Sequence, residues 1–191
     1  NMNIIASLLS LQAVKMEDGP AGAALEEARS RVLSMMLIYD KLYRSEDFRL
    51  VSSSEYLGAL IQEIGRQFKS AGGIRLEHEL EDFPLDSAIL FPLGIIVNEL
   101  VTNAFKYAFD GLGSGMIRIK LAKENGKACL TVHDDGRGFP ASLDLRDSPG
   151  FGFVLIRGLV EQLGGRLRLP QDEDNADVKG SRFMICFPAK G

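Results

Sequence analysis

Apolar and polar positions change their spacing along the chain, and each spacing predicts a type of secondary structure. Apolar residues recur at steps of three and four over about 1–17 and 20–43, on either side of a turn at 18–20. This spacing predicts two helices joined as a hairpin. Strict alternation later predicts strands, and helical spacing returns between them at about 55–69, 98–107 and 155–163. The pattern predicts an α+β fold, with a helical hairpin over 1–45 and a domain over 46–191.

In that second domain we expect the helices to lie on one face of a mixed, mostly antiparallel sheet. The hairpin poses a separate question, because its second helix carries a heptad repeat. The repeat consists of Leu25, Ala28, Val32, Met35, Tyr39 and Leu42. Two helices paired only with each other bury little apolar surface, so we expect a homodimer through residues 1–43 that forms a four-helix bundle. The alternative is that the hairpin packs on the downstream domain.

The helix predicted over residues 98–107 has an unusual polar face. That face carries Asn98, Glu99, Thr102, Asn103, Lys106 and Tyr107. Asparagine is a poor residue for the middle of a helix, and a solvated face would more commonly carry repeating Glu and Lys. The opposite side is apolar and is expected to pack in the core. The polar face is therefore either a functional surface or a solvated one, and other segments have to distinguish the two.

Composition limits the possible functions. The chain has 46% apolar and 25% charged residues, as in an ordinary soluble globular protein, and a formal net charge of −4 gives no reason to expect nucleic acid. Two cysteines and two histidines are too few to predict a metal cluster, and a reducing compartment is the default. Pro92 interrupts the apolar run 88–97, so no membrane span is predicted. We expect a cytoplasmic fragment without membrane contact.

A glycine-rich acidic segment directly follows a predicted strand. It contains Asp134, Asp135, Gly136 and Gly138. A carboxylate at a strand end can accept a hydrogen bond from an exocyclic amine, and glycines allow a ring to approach the backbone closely. An ordinary Asp-Gly turn is the alternative.

Two shorter glycine segments follow. Gly150 and Gly152 lie at the start of a predicted helix, where backbone N–H groups can bind an anion. Gly180 and Ser181 come just before the last predicted strand, and the alternative is that they form only a hairpin corner. Each of these signals is weak when taken alone.

In this order, the four segments resemble the motifs of the ATP-binding domain of histidine kinases and their GHKL (Bergerat-fold) ATPase relatives. Residues 98–107 resemble the asparagine box, 134–138 the first glycine box, 150–152 the second, and 180–181 the last small-residue motif. The resemblance implies an α/β sandwich that binds ATP and Mg²⁺. Upstream, residues 1–12 resemble the continuation of a phosphoacceptor helix of the H-R-V-K-N-N type. The chain has no tryptophan, so we place it beside the sister HWE group.

The resemblance implies roles for the residues of the asparagine box. Asn98 would hold Mg²⁺ together with the phosphates, and Asn103 and Lys106 would contact phosphate oxygens. Glu99 would orient and deprotonate the attacking imidazole. Tyr107 would lie along the nucleotide.

The glycine segments acquire roles in the same way. Asp134 would accept a hydrogen bond from the adenine amine, with support from Ser181. Ser181 occupies a position where threonine is usual in the family. Gly136 and Gly138 would allow close approach of the base. Gly150 and Gly152 would open a short lid over residues 139–149 and offer N–H groups to phosphate.

The implied function is that of a sensor histidine kinase core that phosphorylates a histidine on the dimerisation helix. The phosphoryl group would then pass to a response-regulator receiver domain. The first helix contains no histidine, and the resemblance places the acceptor about five residues before Asn1, more than one helical turn away. We therefore expect this chain to bind ATP without phosphorylating itself. The alternatives are a dimeric nucleotide-binding scaffold without kinase activity and an anti-sigma-type serine kinase.

Overall fold

The computed structural model describes residues 50–68, 73–124, 126–139, 151–170 and 179–189, with eight more between 21 and 36. Those eight are Ala21, Gly22, Ala24, Leu25, Ala28, Arg29, Val32 and Met36, and all are helical. The second predicted helix is therefore confirmed at the positions described, and its heptad residues Leu25, Ala28 and Val32 are half-buried. The first predicted helix and the lid from residue 140 onward lie outside the described residues. The dimer remains a prediction.

The domain begins with a short strand and a helix that follows it directly. Strand β1 (Leu50–Ser52) pairs antiparallel with β3 (Pro84–Asp86), and helix α1 spans Ser53–Gln67. The Ser52 side chain accepts a hydrogen bond from the Glu55 N–H at 3.0 Å, which caps the helix. The apolar residues at helical spacing form the buried face of α1. It comprises Tyr56, Leu57, Leu60, Ile61 and Ile64, with Phe68 partly buried.

Five strands form the main sheet in the order β2-β4-β5-β7-β6. They are β2 (Ile74–Leu80), β4 (Gly115–Glu124), β5 (Lys127–Asp134), β6 (Arg166–Arg168) and β7 (Ser181–Pro188). Only β2 and β4 are parallel among these neighbours, so the predicted mixed, mostly antiparallel sheet is confirmed. Alternate side chains of each strand face the helices and form the core.

Two helices cover that inner face together with α1. Helix α2 spans Ser87–Asn103 and starts earlier than predicted, because Asp86 caps it by accepting a hydrogen bond from the Ala88 N–H at 2.7 Å. Pro92 lies near the helix start and forgoes only one backbone hydrogen bond, so it does not break the helix. Helix α3 spans Phe151–Gln162 and also begins earlier than predicted. Gly164, with a φ angle of +61°, ends this helix.

Helix α2 corrects one sequence prediction. With the turn that continues it, the helix runs from Ser87 to Ala108, 22 residues, which is long and apolar enough by length and composition to cross a membrane. The interpretation of Pro92 as an interruption was therefore wrong. Of the apolar window, 67% is buried inside the domain, as expected for the central helix of a core.

The sheet contains a disulfide that the sequence did not predict. Cys129 of β5 and Cys186 of β7 are direct partners in register and are bonded, with Cα atoms 4.1 Å apart. The pairing joins positions separated by 57 residues, a relationship that local spacing does not reveal. The bond crosslinks the two strands that carry Asp134 and Ser181 at their other ends.

Candidate functional site

Asp134 ends β5 with its side chain held inside the fold. The residue is 5% exposed, and its Oδ1 accepts a hydrogen bond from the Gly136 N–H at 3.0 Å. Burial raises the pKa of the Asp134 carboxyl, and the backbone of Gly136, the neighbouring His133 and the backbone of Ser181 oppose part of that rise. A buried carboxylate of this kind is suited to a hydrogen-bond donor on a bound molecule.

The glycines around Asp134 are required by close packing. A β-carbon on Gly180 would overlap the Asp134 carbonyl group and the Gly136 nitrogen, and one on Gly138 would lie 3.0 Å from the Gly180 carbonyl oxygen. Gly138 and Gly180 also have positive φ angles of +69° and +87°, which favour glycine. The segments predicted as the first glycine box and the last motif therefore meet at the end of the β5–β7 pair.

The first glycine box also packs on the end of the predicted asparagine box. A β-carbon on Gly136 would overlap Ala108, and the Arg137 N–H donates to the Ala108 carbonyl oxygen at 2.9 Å. Ser181, the register partner of Asp134, is buried at 4% exposure. These contacts connect three of the four predicted segments.

The fourth segment meets the asparagine box at Gly152, near the start of α3. A β-carbon added to Gly152 would lie 3.2 Å from Oε2 of Glu99 and 3.7 Å from Nδ2 of Asn103. Glycine therefore leaves this helix terminus close to the carboxylate and amide of α2. Gly150, the other glycine predicted for this motif, lies outside the described residues.

The polar face of α2 is more buried than a solvated face would be. Asn98, Glu99 and Thr102 are 2%, 5% and 9% exposed, whereas Asn103 is half-buried. Within the part of the chain that the structure describes, the Thr102 hydroxyl has no hydrogen-bond partner. Sequence spacing placed Thr102 on this face but did not mark it as a site residue, and its burial is the signal that adds it.

A π turn changes the end of this helix. Residues Ala104–Ala108 form a single π-helical segment, and within it Lys106 and Tyr107 are exposed, Tyr107 at 57%. The sequence analysis assumed a regular α-helix, in which Lys106 would continue the row of Asn98. The wider turn shifts that row and presents both side chains at the rim, a geometry found often at functional sites.

Sequence reasoning also overlooked a structural role of Asp135. Its Oδ1 accepts a hydrogen bond from the Met116 N–H at 2.6 Å, and its own N–H donates to the Met116 carbonyl oxygen at 3.1 Å. Asp135 thus connects the start of β4 to the segment after β5.

The side chains of Phe139, Phe153 and Phe183 pack together, with ring centroids 5.8–6.2 Å apart.

The arrangement fits an adenine nucleotide. It offers a buried carboxylate, glycines at close-packed backbone, and a helix start beside an acid and an amide. Among the described residues, no group of three or more His, Cys, Asp and Glu side chains could hold a metal ion. A Mg²⁺ ion here would therefore need oxygens from phosphates and water, which is how this ion is commonly held beside nucleotides.

Two family models match the chain. Residues 1–68 match a model described as histidine kinase, and residues 91–191 match one described as histidine kinase-, DNA gyrase B- and HSP90-like ATPase. The second match covers more than half of the chain. The chain therefore belongs to the histidine kinase family and carries the ATPase-type domain of that family.

Known proteins agree with this assignment. The chain is 31% identical to the sensor histidine kinase PdtaS of Mycobacterium tuberculosis over 190 residues, covering 98% of this chain and 37% of that protein. It is 26% identical to Blue-light-activated histidine kinase 2 of Erythrobacter litoralis over 176 residues, covering 88% and 49%. The chain spans less than half the length of both relatives.

A solved structure confirms the fold. The histidine kinase domain of the Erythrobacter litoralis EL346 blue-light activated histidine kinase matches with a TM-score of 0.77 and 23% identity, covering 99% of this chain and 86% of that chain. At this identity the likeness shows the fold alone. The predicted α+β architecture with a GHKL-type sandwich is confirmed.

Proposed function

We propose that this chain is the ATP-binding and dimerisation core of a sensor histidine kinase, which transfers the γ-phosphoryl group of ATP to a histidine. One observation carries the proposal: Gly152, at the start of α3, faces Glu99 and Asn103 of α2. That contact puts a helix N-terminus suited to phosphate beside an acid suited to proton transfer.

The base of the nucleotide would bind at Asp134. Its buried carboxylate would accept a hydrogen bond from the adenine amine, with Ser181 in support. Gly136 and Gly138 would let the ring approach the backbone. Tyr107, 57% exposed at the rim, would lie along the nucleotide.

The phosphates would lie between the π turn and α3. Lys106 would contact phosphate oxygens, and the glycines at 150 and 152 would offer backbone N–H groups. Asn98 is the metal ligand that the family resemblance implies, but it is 2% exposed, whereas Asn103 is half-buried and close to Gly152. Because Mg²⁺ retains several waters and needs an accessible oxygen, we assign it to Asn103 and give Asn98 a supporting role inside the helix. When bound, Mg²⁺ supplies positive charge that offsets the charge of the phosphates.

Glu99 would act on the acceptor. Its carboxylate lies inside the fold at 5% exposure and faces the start of α3, so it is held in one place rather than solvated. It would orient the attacking imidazole and accept its proton. Neither histidine of the described domain suits the acceptor role, since His78 and His133 both lie on strands of the sheet. We propose that the acceptor lies upstream of residue 1 in the full-length protein.

The partners follow from the same proposal. Residues 1–43 would form the homodimer, and a receiver domain of a response regulator would take the phosphoryl group in the cytoplasm. The match of residues 1–68 to a histidine kinase model supports this proposal over the serine-kinase alternative.

The test is phosphorylation of the full-length protein with [γ-³²P]ATP and Mg²⁺. We expect an acid-labile, alkali-stable label, as for phosphohistidine. Glu99→Gln should reduce labelling by about 10²–10⁴-fold, the usual contribution of a general base, while leaving ATP affinity within about threefold. Glu161→Gln, an exposed substitution on α3, is the matched control and should label normally.

Two results would contradict the proposal. Tight ATP binding without any label in the wild type would indicate a nucleotide-binding scaffold. An acid-stable label would indicate a hydroxyl acceptor and a serine kinase.

A further inference from the structure

The main sheet has an outer face that packs against none of the described helices. Along each strand, alternate side chains enter the hydrophobic core, and those between them point away from it. None of the outward side chains of β4, β5 and β7 belongs to the core cluster. We call this surface the outer sheet face. It is formed by the outward residues of β2, β4, β5, β7 and β6.

The outer sheet face is positively charged although the chain is negative overall. Its charged side chains are Arg75, Arg118, Lys120, Lys127, Arg166, Arg168 and Arg182, against Glu77, Glu79 and Glu124. Seven cations and three acids leave a surplus of four positive charges. Since the whole chain carries −4, everything outside this face carries −8. The charge is therefore segregated.

The acids also lie at the margin of the face. Glu77 and Glu79 are on the edge strand β2, and Glu124 is at the end of β4. The outward positions of β5, β7 and β6 contain no acid at all. The cationic part is thus continuous over three neighbouring strands.

The middle of the face is apolar. One cross-strand row runs Glu79, Lys120, Thr131, Met184 and Arg168, so that Lys120 and Arg168 flank an uncharged centre and Glu79 lies at the edge. In the next row the Cys129–Cys186 disulfide lies between Ala122 and Arg166. An uncharged centre with a charged rim is the anatomy of a protein–protein interface, and methionine is common at such centres.

We propose that the outer sheet face is a docking surface for a protein module with an acidic rim around an apolar patch. Nucleic acid fits less well, because the uncharged centre around Thr131, Met184 and the disulfide would leave phosphates there without cationic partners. A membrane also fits less well, because this face has no large exposed apolar side chain to insert into lipid. The exposed large apolar side chains in the described residues are Phe91, Tyr107, Leu112, Phe139 and Val154, and none belongs to this face.

The size of the face indicates a transient complex. The five strands contain 7, 10, 8, 8 and 3 residues, and at about 3.3 Å per residue and about 4.8 Å between strands they cover roughly 600 Å². A standard stable interface buries about 800 Å² on each partner, so this face falls in the range of transient signalling contacts. Such a partner would bind mainly through charge, and its affinity would fall with added salt.

The test uses a fluorescein-labelled twelve-residue peptide of alternating glutamate and leucine, titrated with the 191-residue chain and followed by fluorescence anisotropy. Lys120→Glu with Arg168→Glu reverses both cations that flank the uncharged centre of that row. The matched control, Arg66→Glu with Lys123→Glu, changes the same charge on exposed residues outside this face. We expect the first pair to weaken binding at least tenfold and the control pair less than twofold. Thermal unfolding of both variants checks that each is folded.

Competition separates the other classes of partner. Duplex DNA and vesicles of phosphatidylcholine and phosphatidylglycerol should displace the peptide poorly at equal charge concentration. The proposal is overturned if the peptide does not bind, if both charge-reversal pairs weaken it equally, or if DNA or vesicles compete better than the unlabelled peptide.

Discussion

The hydroxyl end of the Tyr56 ring occupies the place where a β-carbon on Gly94 would stand. Tyr56 belongs to α1 and is 1% exposed, and within the described residues its hydroxyl has no hydrogen-bond partner. Gly94 lies inside α2, where glycine costs about 1 kcal/mol relative to alanine. This contact explains why glycine occupies position 94. Without a side chain there, α1 can pack closely against α2, the helix that carries Glu99 and Asn103.

Gly94→Ala should destabilise the domain although alanine favours helices. The added methyl would overlap Tyr56, and overpacking of this kind costs about 1–3 kcal/mol. Gly58→Ala is the matched control, since a β-carbon there meets nothing within 4 Å and should stabilise by up to about 1 kcal/mol. Urea unfolding measures both. Tyr56→Phe should relieve part of the cost of Gly94→Ala, and an unchanged cost would show that the hydroxyl is not the obstacle.

Gly152→Ala should impair nucleotide binding while leaving the fold intact. The new methyl would lie 3.2 Å from the Glu99 carboxylate, so the acid or the helix start must shift by a few tenths of an ångström. We expect ATP–Mg²⁺ affinity to fall by about tenfold, or 1.4 kcal/mol, in isothermal titration. Gly158→Ala, on the same helix with no neighbour within 4 Å, should bind normally. Equal ATP–Mg²⁺ affinities for the two variants would show that Gly152 does not belong to the nucleotide site.

Asp134→Asn should stabilise the free domain at neutral pH and weaken adenine binding. Burial raises the pKa of Asp134, so the folded state holds this proton more tightly than the unfolded chain does. Ionised Asp134 therefore costs stability near pH 7, and the cost disappears as pH falls through the folded pKa towards the unfolded value of about 3.9.

The variant should thus have a higher free energy of unfolding than the wild type near pH 7, with a difference that shrinks towards pH 4. Urea unfolding across this range measures it. A difference that does not vary with pH would mean that the carboxyl is not destabilised by burial in the folded state.

Reduction of the Cys129–Cys186 disulfide should lower the free energy of unfolding. The bond closes a loop with a sequence separation of 57, for which chain entropy gives at most about 4 kcal/mol. Dithiothreitol and the double substitution Cys129→Ala/Cys186→Ala should produce similar losses in thermal unfolding. Dithiothreitol should have no further effect on the double variant, and an added loss there would point to another cause.

Sequence spacing predicted most of the architecture because each element has a strong local pattern. The buried face of α1, including Tyr56 and Ile64, follows directly from helical period. The burial of Asn98 and Glu99 was not predictable, because it depends on how α3 and the sheet pack around α2. The disulfide was missed for a similar reason, since register between distant strands is a tertiary property.

The site motifs were recognised from residue type and order, but their contacts were not. Gly136 was expected to admit a ligand, yet the described contact is with Ala108. Gly152 was expected to free a loop, and it also leaves room for Glu99. These glycines are needed for packing between motifs, which no single motif reveals.

The π turn at residues 104–108 has a consequence for how this sequence can vary. It holds one residue more than a regular turn would, and it directs the Ala108 carbonyl to the Arg137 N–H. Inserting or deleting a residue between Asn103 and Ala108 would rotate that carbonyl by about 100° and detach the glycine segment from the helix. This short stretch therefore cannot change its length without breaking that contact.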